Sequence, residues 1–412
     1  MIKNFGIREG IFIKDSFNQS FVFFKDDNKN LIFDKVGVDN STTIIDKDVL
    51  DFSAALDENS KLHLLYIHKK GELVYCIYTD GNWQKKIIGK FDIQSNTYKY
   101  LTLYVHNNVI NILYSCANLI NLNLLSIEHI IKHKNKWQKH IVANIYSEKS
   151  MDPFYIDRDE FGNIHLVYSS KEYNSYNIYY LFYNTFTKRW TTSPTKISSS
   201  LSNNVLPYLF VDSHNNIHIL WYSSNNRDYL LNYKRYSSIG DSKFQWKEIN
   251  LPKILGYNYP ALMVEKYNKL NIICISQEEI YNLVSQDYGI TWVLDNKRPI
   301  EEDPVYLIKY YNHPLKRFEN KINHYYGNIH NDNIYFYFDN FHGDLLDENA
   351  VIPGVESDSN EEEKETENLK NTLLDMQKQL NAIKEDMNLI KDKLQDIEEK
   401  ALNRKGFFNI RW

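Results

Sequence analysis

One phrase returns along the chain and limits what it can fold into. It reads Asn59-Ser60-Lys61-Leu62-His63-Leu64-Leu65-Tyr66, then Asn163-Ile164-His165-Leu166-Val167-Tyr168, then Asn216-Ile217-His218-Ile219-Leu220-Trp221-Tyr222. Fainter copies are Val109-Ile110-Asn111-Ile112-Leu113-Tyr114, Lys269-Leu270-Asn271-Ile272-Ile273-Cys274 and Asn333-Ile334-Tyr335-Phe336-Tyr337. Self-similarity at a steady period sets architecture before any local propensity does. Each unit has the same order of parts. A short apolar strand such as Pro207-Tyr208-Leu209-Phe210-Val211 leads into a polar turn, then the recurring strand, a variable loop and a third strand. A tryptophan then opens a fourth: Trp83, Trp137, Trp190, Trp246 and Trp292, spaced 54, 53, 56 and 46 residues apart. Four short strands per unit of about 50 residues is the periodicity of a β-propeller.

Five units are complete, beginning near residues 50, 100, 152, 206 and 259. Phe21–Lys25 and Leu31–Lys35 resemble third and fourth strands, whereas Ile322–Gly327 and Asn333–Phe338 resemble a first and a second. Joined, they predict an all-β, six-bladed propeller closed by its N- and C-terminal strands. The surplus strand Val305–Tyr311 either extends the fifth unit or starts a seventh blade.

Composition agrees. Aromatic residues make up 15% of the 412, with 32 Tyr and 21 Phe, types that suit half-buried pleated surfaces. The formal net charge is −5; residues 356–412 hold 14 acidic and 10 basic side chains, a net of −4, which leaves −1 for the rest. So balanced a body gives no compositional case for nucleic acid or an anionic membrane. Cys76, Cys116 and Cys274 are odd in number and lack metal-ligand spacing, which predicts reduced thiols, no disulfide framework, no metal and no cofactor. The N-terminus lacks the apolar stretch of a signal peptide, and no run of 18 apolar residues occurs. The expectation is synthesis in the cytoplasm without a membrane span, with later assembly onto a spore or other surface structure. The abundance of Asn, Ile, Lys and Tyr suggests an AT-rich, bacterial genome.

Ser285-Gln286-Asp287-Tyr288-Gly289-Ile290-Thr291-Trp292 fills every fixed position of S-x-D-x-G-x-T-W. Asp287 can accept backbone hydrogen bonds across a tight turn, Gly289 permits the unusual φ, and Trp292 packs between sheets. The segment resembles the Asp box (BNR repeat) of the sialidase-like propeller superfamily. That resemblance implies the fold, with Ser285, Asp287, Gly289, Thr291 and Trp292 structural on a rim remote from any active site. Sialidases also carry an Arg-Ile-Pro signature, three convergent arginines, a Tyr–Glu pair and an Asp acid. This chain has no Arg-Ile-Pro, and only Arg8, Arg158, Arg189, Arg227, Arg235, Arg298 and Arg317 lie in its body. Lysine does not replace the planar arginine fork, so no catalytic residue is assigned.

The recurring histidines would be spread around the ring by its symmetry, which predicts packed, hydrogen-bonded strand residues. Asp157–Gly162 starts like a calcium loop, but Phe161 holds a ligand position and the twelfth residue is Tyr168, so a turn is expected. Asp339, His342, Asp344 and Asp347 read as a solvated linker. Ligand recognition is expected on loops between units and between second and third strands. Tyrosine faces pack on sugar C–H groups and polar neighbours bond hydroxyls, which gives Tyr173, Tyr176, Arg227, Asp228, Tyr257 and Tyr259 as candidates. Asp152 and Asp303, each before a proline, would face the central axis.

Residues 1–345 form the propeller in this reading, and 346–365 an acidic flexible linker. From 366 to 403 heptads place Leu373, Leu380, Met387 and Leu394 at a, and Leu369, Met376, Ile383, Ile390 and Ile397 at d. Leu at a with Ile at d favours trimers or tetramers over a parallel dimer. As a coiled coil this stretch would be a stalk of roughly 57 Å at 1.5 Å per residue. Residues 404–412 end in Gly406-Phe407-Phe408-Asn409-Ile410-Arg411-Trp412, a hydrophobic tail suited to docking on a partner. The expectation is a non-enzymatic, multivalent binding or structural protein with a lectin-like head on an oligomerising stalk, part of a surface, spore or phage assembly. The alternative is a divergent sialidase-like glycoside hydrolase.

Overall fold

The computed structural model describes residues 10–336 apart from 27, 39–41, 134–135, 148–151, 200, 226–227, 239–242, 256–258, 277, 301–304, 313–319 and 331–332. The acidic linker, the heptads, the tail and the Asp339–Asp347 cluster lie outside the described residues.

The chain is a six-bladed β-propeller. Blade 1 is β1 (Gly10–Lys14), β2 (Ser20–Lys25), β3 (Leu31–Lys35) and β4 (Thr43–Asp46). Blade 2 is β5 (Val49–Leu56), β6 (Leu62–His68), β7 (Glu72–Thr79) and β8 (Asn82–Lys90). Blade 3 is β9 (Asn96–His106), β10 (Val109–Asn118), β11 (Leu124–His133) and β12 (Lys136–Tyr146). Blade 4 is β13 (Phe154–Arg158), β14 (Ile164–Glu172) and β15 (Ser175–Asn184), edged by β16 (Arg189–Trp190) and β17 (Thr195–Lys196). Blade 5 is β18 (Asn204–Val211), β19 (Ile217–Asn225), β20 (Asp228–Tyr236) and β21 (Trp246–Glu248). Blade 6 is β22 (Leu262–Lys266), β23 (Lys269–Ser276), β24 (Glu279–Ser285) and β25 (Val293–Pro299).

In blades 2 to 6 the recurring phrase is the second strand, and it is buried on both faces. Leu62, Leu64 and Tyr66 pack towards blade 1, whereas Leu65 and Ile67 pack towards blade 3. Alternate side chains of a strand point to opposite faces, so a sheet stacked between two others needs apolar residues at both parities. Burying each such side chain stabilises by about 1.5–3 kcal/mol. The largest cluster runs from blade 4 through blades 5 and 6 to Phe12 and Val22 of blade 1, closing the ring.

An identical turn joins first and second strands in four blades. Asp15, Asp57, Asp159 and Asp212 each donate their N–H to the carbonyl four residues on, of Gln19, Lys61, Asn163 and Asn216. The same four side chains accept the N–H of that fourth residue. The residue before it has positive φ: Asn18, Ser60, Gly162 and Asn215. These turns also touch around the ring. Ser16 bonds Ser60, Glu58 bonds the N–H of Asn107, Gly162 abuts His106, Glu160 bonds Asn215, and Ser213 bonds Glu265. All six first-to-second-strand turns therefore share one face. The third-to-fourth-strand turns, which antiparallel pairing returns to the same end, lie there too.

The terminal strands join in one sheet, with a different allotment from the one expected. Phe21–Lys25 and Leu31–Lys35 are second and third strands, because Gly10–Lys14 supplies a first strand ahead of the Asp15 turn. Blade 1 is thus complete from N-terminal residues alone. The surplus segment is β26 (Tyr306–Asn312), which pairs parallel with β1 from Gly10↔Ile308 to Lys14↔Asn312 on the inner edge of blade 1. It neither extends the fifth unit nor starts a seventh blade. β27 (Asn320–Ile322) pairs with the inner strand of blade 6, and β28 (His324–His330) and β29 (Asn333–Phe336) complete the layer on β26. These strands line the inside of the ring across blades 1 and 6. They are held by Lys321, whose Nζ is 3.0 Å from Asp157 Oδ2 in blade 4 and donates to carbonyls of Arg158 and Val211. Burial pushes the Asp157 carboxyl up, but the Lys321 charge and N–H donors from Val211 and Arg158 more than reverse this, so it lies below its ordinary value.

Candidate functional site

A cavity of about 220 Å³ lies between the inner strands of blades 1 to 4 and the strands inside the ring. Its lining runs along the inner strands, from Asp152 just ahead of β13 to Tyr104, two residues short of the end of β9. Phe52, Tyr100, Tyr104, Phe154, Tyr155 and Tyr311 give it aromatic walls, and Thr102, Asp152, Lys309 and His324 supply polar groups.

Backbone irregularities put these side chains there. The β9–β10 register shifts beside Tyr100, which has φ +60°. Similar shifts interrupt β5 near Leu50 and β18 near Leu206. A bulge re-aims the side chains around it, and a non-glycine residue at positive φ is held only by its surroundings. At the polar end the Tyr155 hydroxyl donates to Asp152 Oδ2 at 2.6 Å, and burial keeps that phenol protonated, its pKa well above the usual value. The Tyr155 ring packs edge-on against His324 and Tyr208. Tyr208 places its hydroxyl 3.3 Å from His324 Nδ1. Burial, with some help from the Lys309 charge, pushes His324 down to about 3, so this ring is neutral at ordinary pH. Lys309 sits opposite His324 in the β26–β28 register and lines the cavity.

Of the described residues expected to bind ligand, Asp152 alone lines this cavity. Tyr173 is 99% exposed in the β14–β15 turn. Asp228 is exposed at the start of β20. Tyr176 and Tyr259 are buried in the core, Tyr259 edge-on against Tyr326. That corrects the expectation that these two rings present a binding surface: Tyr176, in β15, and Tyr259, ahead of β22, both turn inward, where the ring gains more from burial than from water. Arg227, Tyr257 and Asp303 lie outside the described residues. The other lining residues, among them Tyr100, Tyr104, Lys309 and His324, were not singled out from sequence. Tyr100 and Tyr104 lie on a first strand, β9, whereas Lys309 and His324 come from β26 and β28, whose place inside the ring has no local signal.

The repeated histidines form buried networks. His63, His165 and His218 place Nδ1 2.6, 2.7 and 2.7 Å from the hydroxyls of Tyr75, Tyr180 and Tyr233. His218 Nε2 bonds Asp212 at 3.0 Å, while Asp57 and Asp159 sit at 3.3 and 3.5 Å from their histidines. In the 285–292 turn, Asp287 accepts from the N–H groups of Ile290 and Thr291 and from the hydroxyls of Ser285 and Thr291. Gly289 has φ +86°, and a Cβ there would lie 2.2 Å from the Tyr233 hydroxyl. Trp292 meets the Tyr233 ring edge-on. The described arginines Arg158, Arg189, Arg235 and Arg298 are spread over blades 4, 5 and 6, and none lines the cavity.

No protein-family model matches the sequence, and no curated protein matches it. Solved structures do. The fucose-specific lectin from Aleuria aurantia is 13% identical, with 72% of this chain and 97% of that one covered and a TM-score of 0.42. The BP39L lectin from Burkholderia pseudomallei is 11% identical over 79% and 94%, with a TM-score of 0.48. An α-L-arabinanase from Penicillium chrysogenum is 10% identical over 60% and 80%, with a TM-score of 0.37. At these identities the likeness is one of fold.

Proposed function

We propose that the propeller is a non-enzymatic, lectin-like head that holds one sugar ring in the central cavity. The observation that carries this reading is the lining itself: six aromatic rings, one of them the tyrosine bonded to the Asp152 carboxylate. The cavity would hold roughly seven waters at about 30 Å³ each, which suits one sugar ring. Aromatic faces pack on its C–H groups, while Asp152, Thr102 and Lys309 bond its hydroxyls. A glycosidase needs two carboxylates about 5 to 10 Å apart, and among the described lining residues Asp152 is the one carboxylate. The bonds made by Asp287 and Ser285 support reading 285–292 as an Asp box with a structural role.

Residues 366–403 would gather three or four heads on a stalk, with Phe407–Trp412 as the docking tail. Linked weak sites gain about 10²–10⁴ in avidity, which suits display on a surface or spore assembly. A glycan array probed with the full chain tests the reading. Retention on a defined set of saccharides, without release of reducing sugar, is expected. No retention on any saccharide, or turnover of a bound one, overturns it.

A further inference from the structure

The cavity is a pocket with one mouth, and that limits which saccharides enter it. Its lining stops at Ile11, Phe52, Tyr104, Ile156 and Tyr311, although their strands run on to Lys14, Leu56, His106, Arg158 and Asn312. Among the described residues, contacts across the ring close that end. The Tyr104 ring of blade 3 meets Tyr311 of β26 edge-on, centroids 6.5 Å apart, and its hydroxyl donates to the Ile156 carbonyl at 3.3 Å. Tyr311 packs against the core of blades 1 and 2 and also against the core of blades 3 and 4. Behind Tyr104 stands the buried Arg158, its guanidinium 5.4 Å from the ring centroid and donating to the Val105 carbonyl at 3.2 Å. Lys321 donates in turn to the Arg158 carbonyl, which ties this floor to β27.

The other end opens. Tyr100 and Asp152 are half-buried there, and Lys99, next to Tyr100 in β9, is exposed. A sugar inside a glycan chain carries a linkage on each side and needs two exits, whereas a sugar at a chain end needs one. The floor resists opening, because parting Arg158 from the Tyr104 ring and the Val105 carbonyl would leave a buried charge with fewer partners. At about 220 Å³ the cavity has no room to turn a chain back on itself. A second sugar therefore stays outside the mouth, away from the aromatic walls that supply most of the contact.

We propose that the head takes a saccharide by a terminal residue and refuses the same residue inside a chain, a specificity that rests on the sugar reading above. The full chain is tested on an array that presents glucose, galactose, mannose, fucose and N-acetylglucosamine at the non-reducing end. Matched spots carry each of them capped by one further sugar at O4, across the ring from the existing linkage. Retention on at least one terminal sugar is expected, with capping costing at least about tenfold, the loss of two or more ring contacts. Asp152→Ala and Tyr100→Gly should each lose that retention, which locates it in the cavity. Glycine suits the positive φ at residue 100, so the second variant folds even where the first does not. Equal retention on capped and terminal spots, lost alike in both variants, overturns the proposal and leaves a sugar site open at both ends. No retention on any spot, or retention that neither variant weakens, overturns the sugar reading and this specificity with it.

Discussion

At the residue scale, single atoms decide which side chains the repeat accepts. Gly289 is required twice over, by its positive φ and by the Tyr233 hydroxyl where a Cβ would stand. Gly289→Ala should lower unfolding free energy by about 2–3 kcal/mol, read by urea denaturation, with saccharide retention unchanged below the transition. A loss under half a kilocalorie would mean that the turn yields. Two neutral histidines make the head acid-sensitive. Burial holds His129 and His324 near 3, with His140 and Lys309 adding to the depression. Their unfolded pKa is about 6.5. The stabilisation from keeping each ring uncharged is complete above that pH and is lost as pH falls towards 3. Each contributes about 1.4 kcal/mol per pH unit within the window. Denaturation midpoints should therefore drop steadily from pH 7 to pH 4; constant midpoints would contradict the burial of both rings.

At the scale of elements, most of the fold was legible because the repeat signals itself. The second strand is buried on both faces and the fourth opens with a tryptophan, so period and parity could be read directly. Trp83 packs on Phe23 and Phe33, and Trp246 on Tyr180, each in the preceding blade. The error fell at the ring's seam. Gly10–Lys14 is short, and the turn after it, Asp15–Gln19, repeats the Asp57–Lys61 pattern, but so does Asp26–Asn30 between β2 and β3, so the pattern alone does not say which strand is first. The place of β26 was not legible, since parallel pairing with β1 across almost the whole chain leaves no local trace. The site was least legible of all, because its residues converge from four blades and a bulge at Tyr100 breaks the strand alternation. The inner strands depend on one buried ion pair. Lys321→Met leaves Asp157 charged and buried in blade 4, and should cost about 3–5 kcal/mol. Calorimetric melting checks this, and an unchanged transition would show that β27 is held by its strand pairing alone.

At the scale of the whole molecule, the proposed stalk is tested by removing it. Truncation after residue 345 should leave a folded monomer, against a trimer or tetramer for the full chain in sedimentation equilibrium. Its apparent affinity for a glycan-coated surface should fall by about 10²–10⁴. A monomeric full chain would remove the stalk from the account.

The central claim, that the cavity binds a sugar without turning it over, is tested most directly by calorimetric titration of the best array saccharide. The parent and the Asp152→Ala and Tyr104→Ala variants are compared, with the solution assayed afterwards for reducing ends. One site per chain is predicted for the parent, with affinity at least about tenfold weaker in each variant and no new reducing ends. Unchanged affinity in both variants would put the saccharide elsewhere, and hydrolysis by the parent would make the head an enzyme.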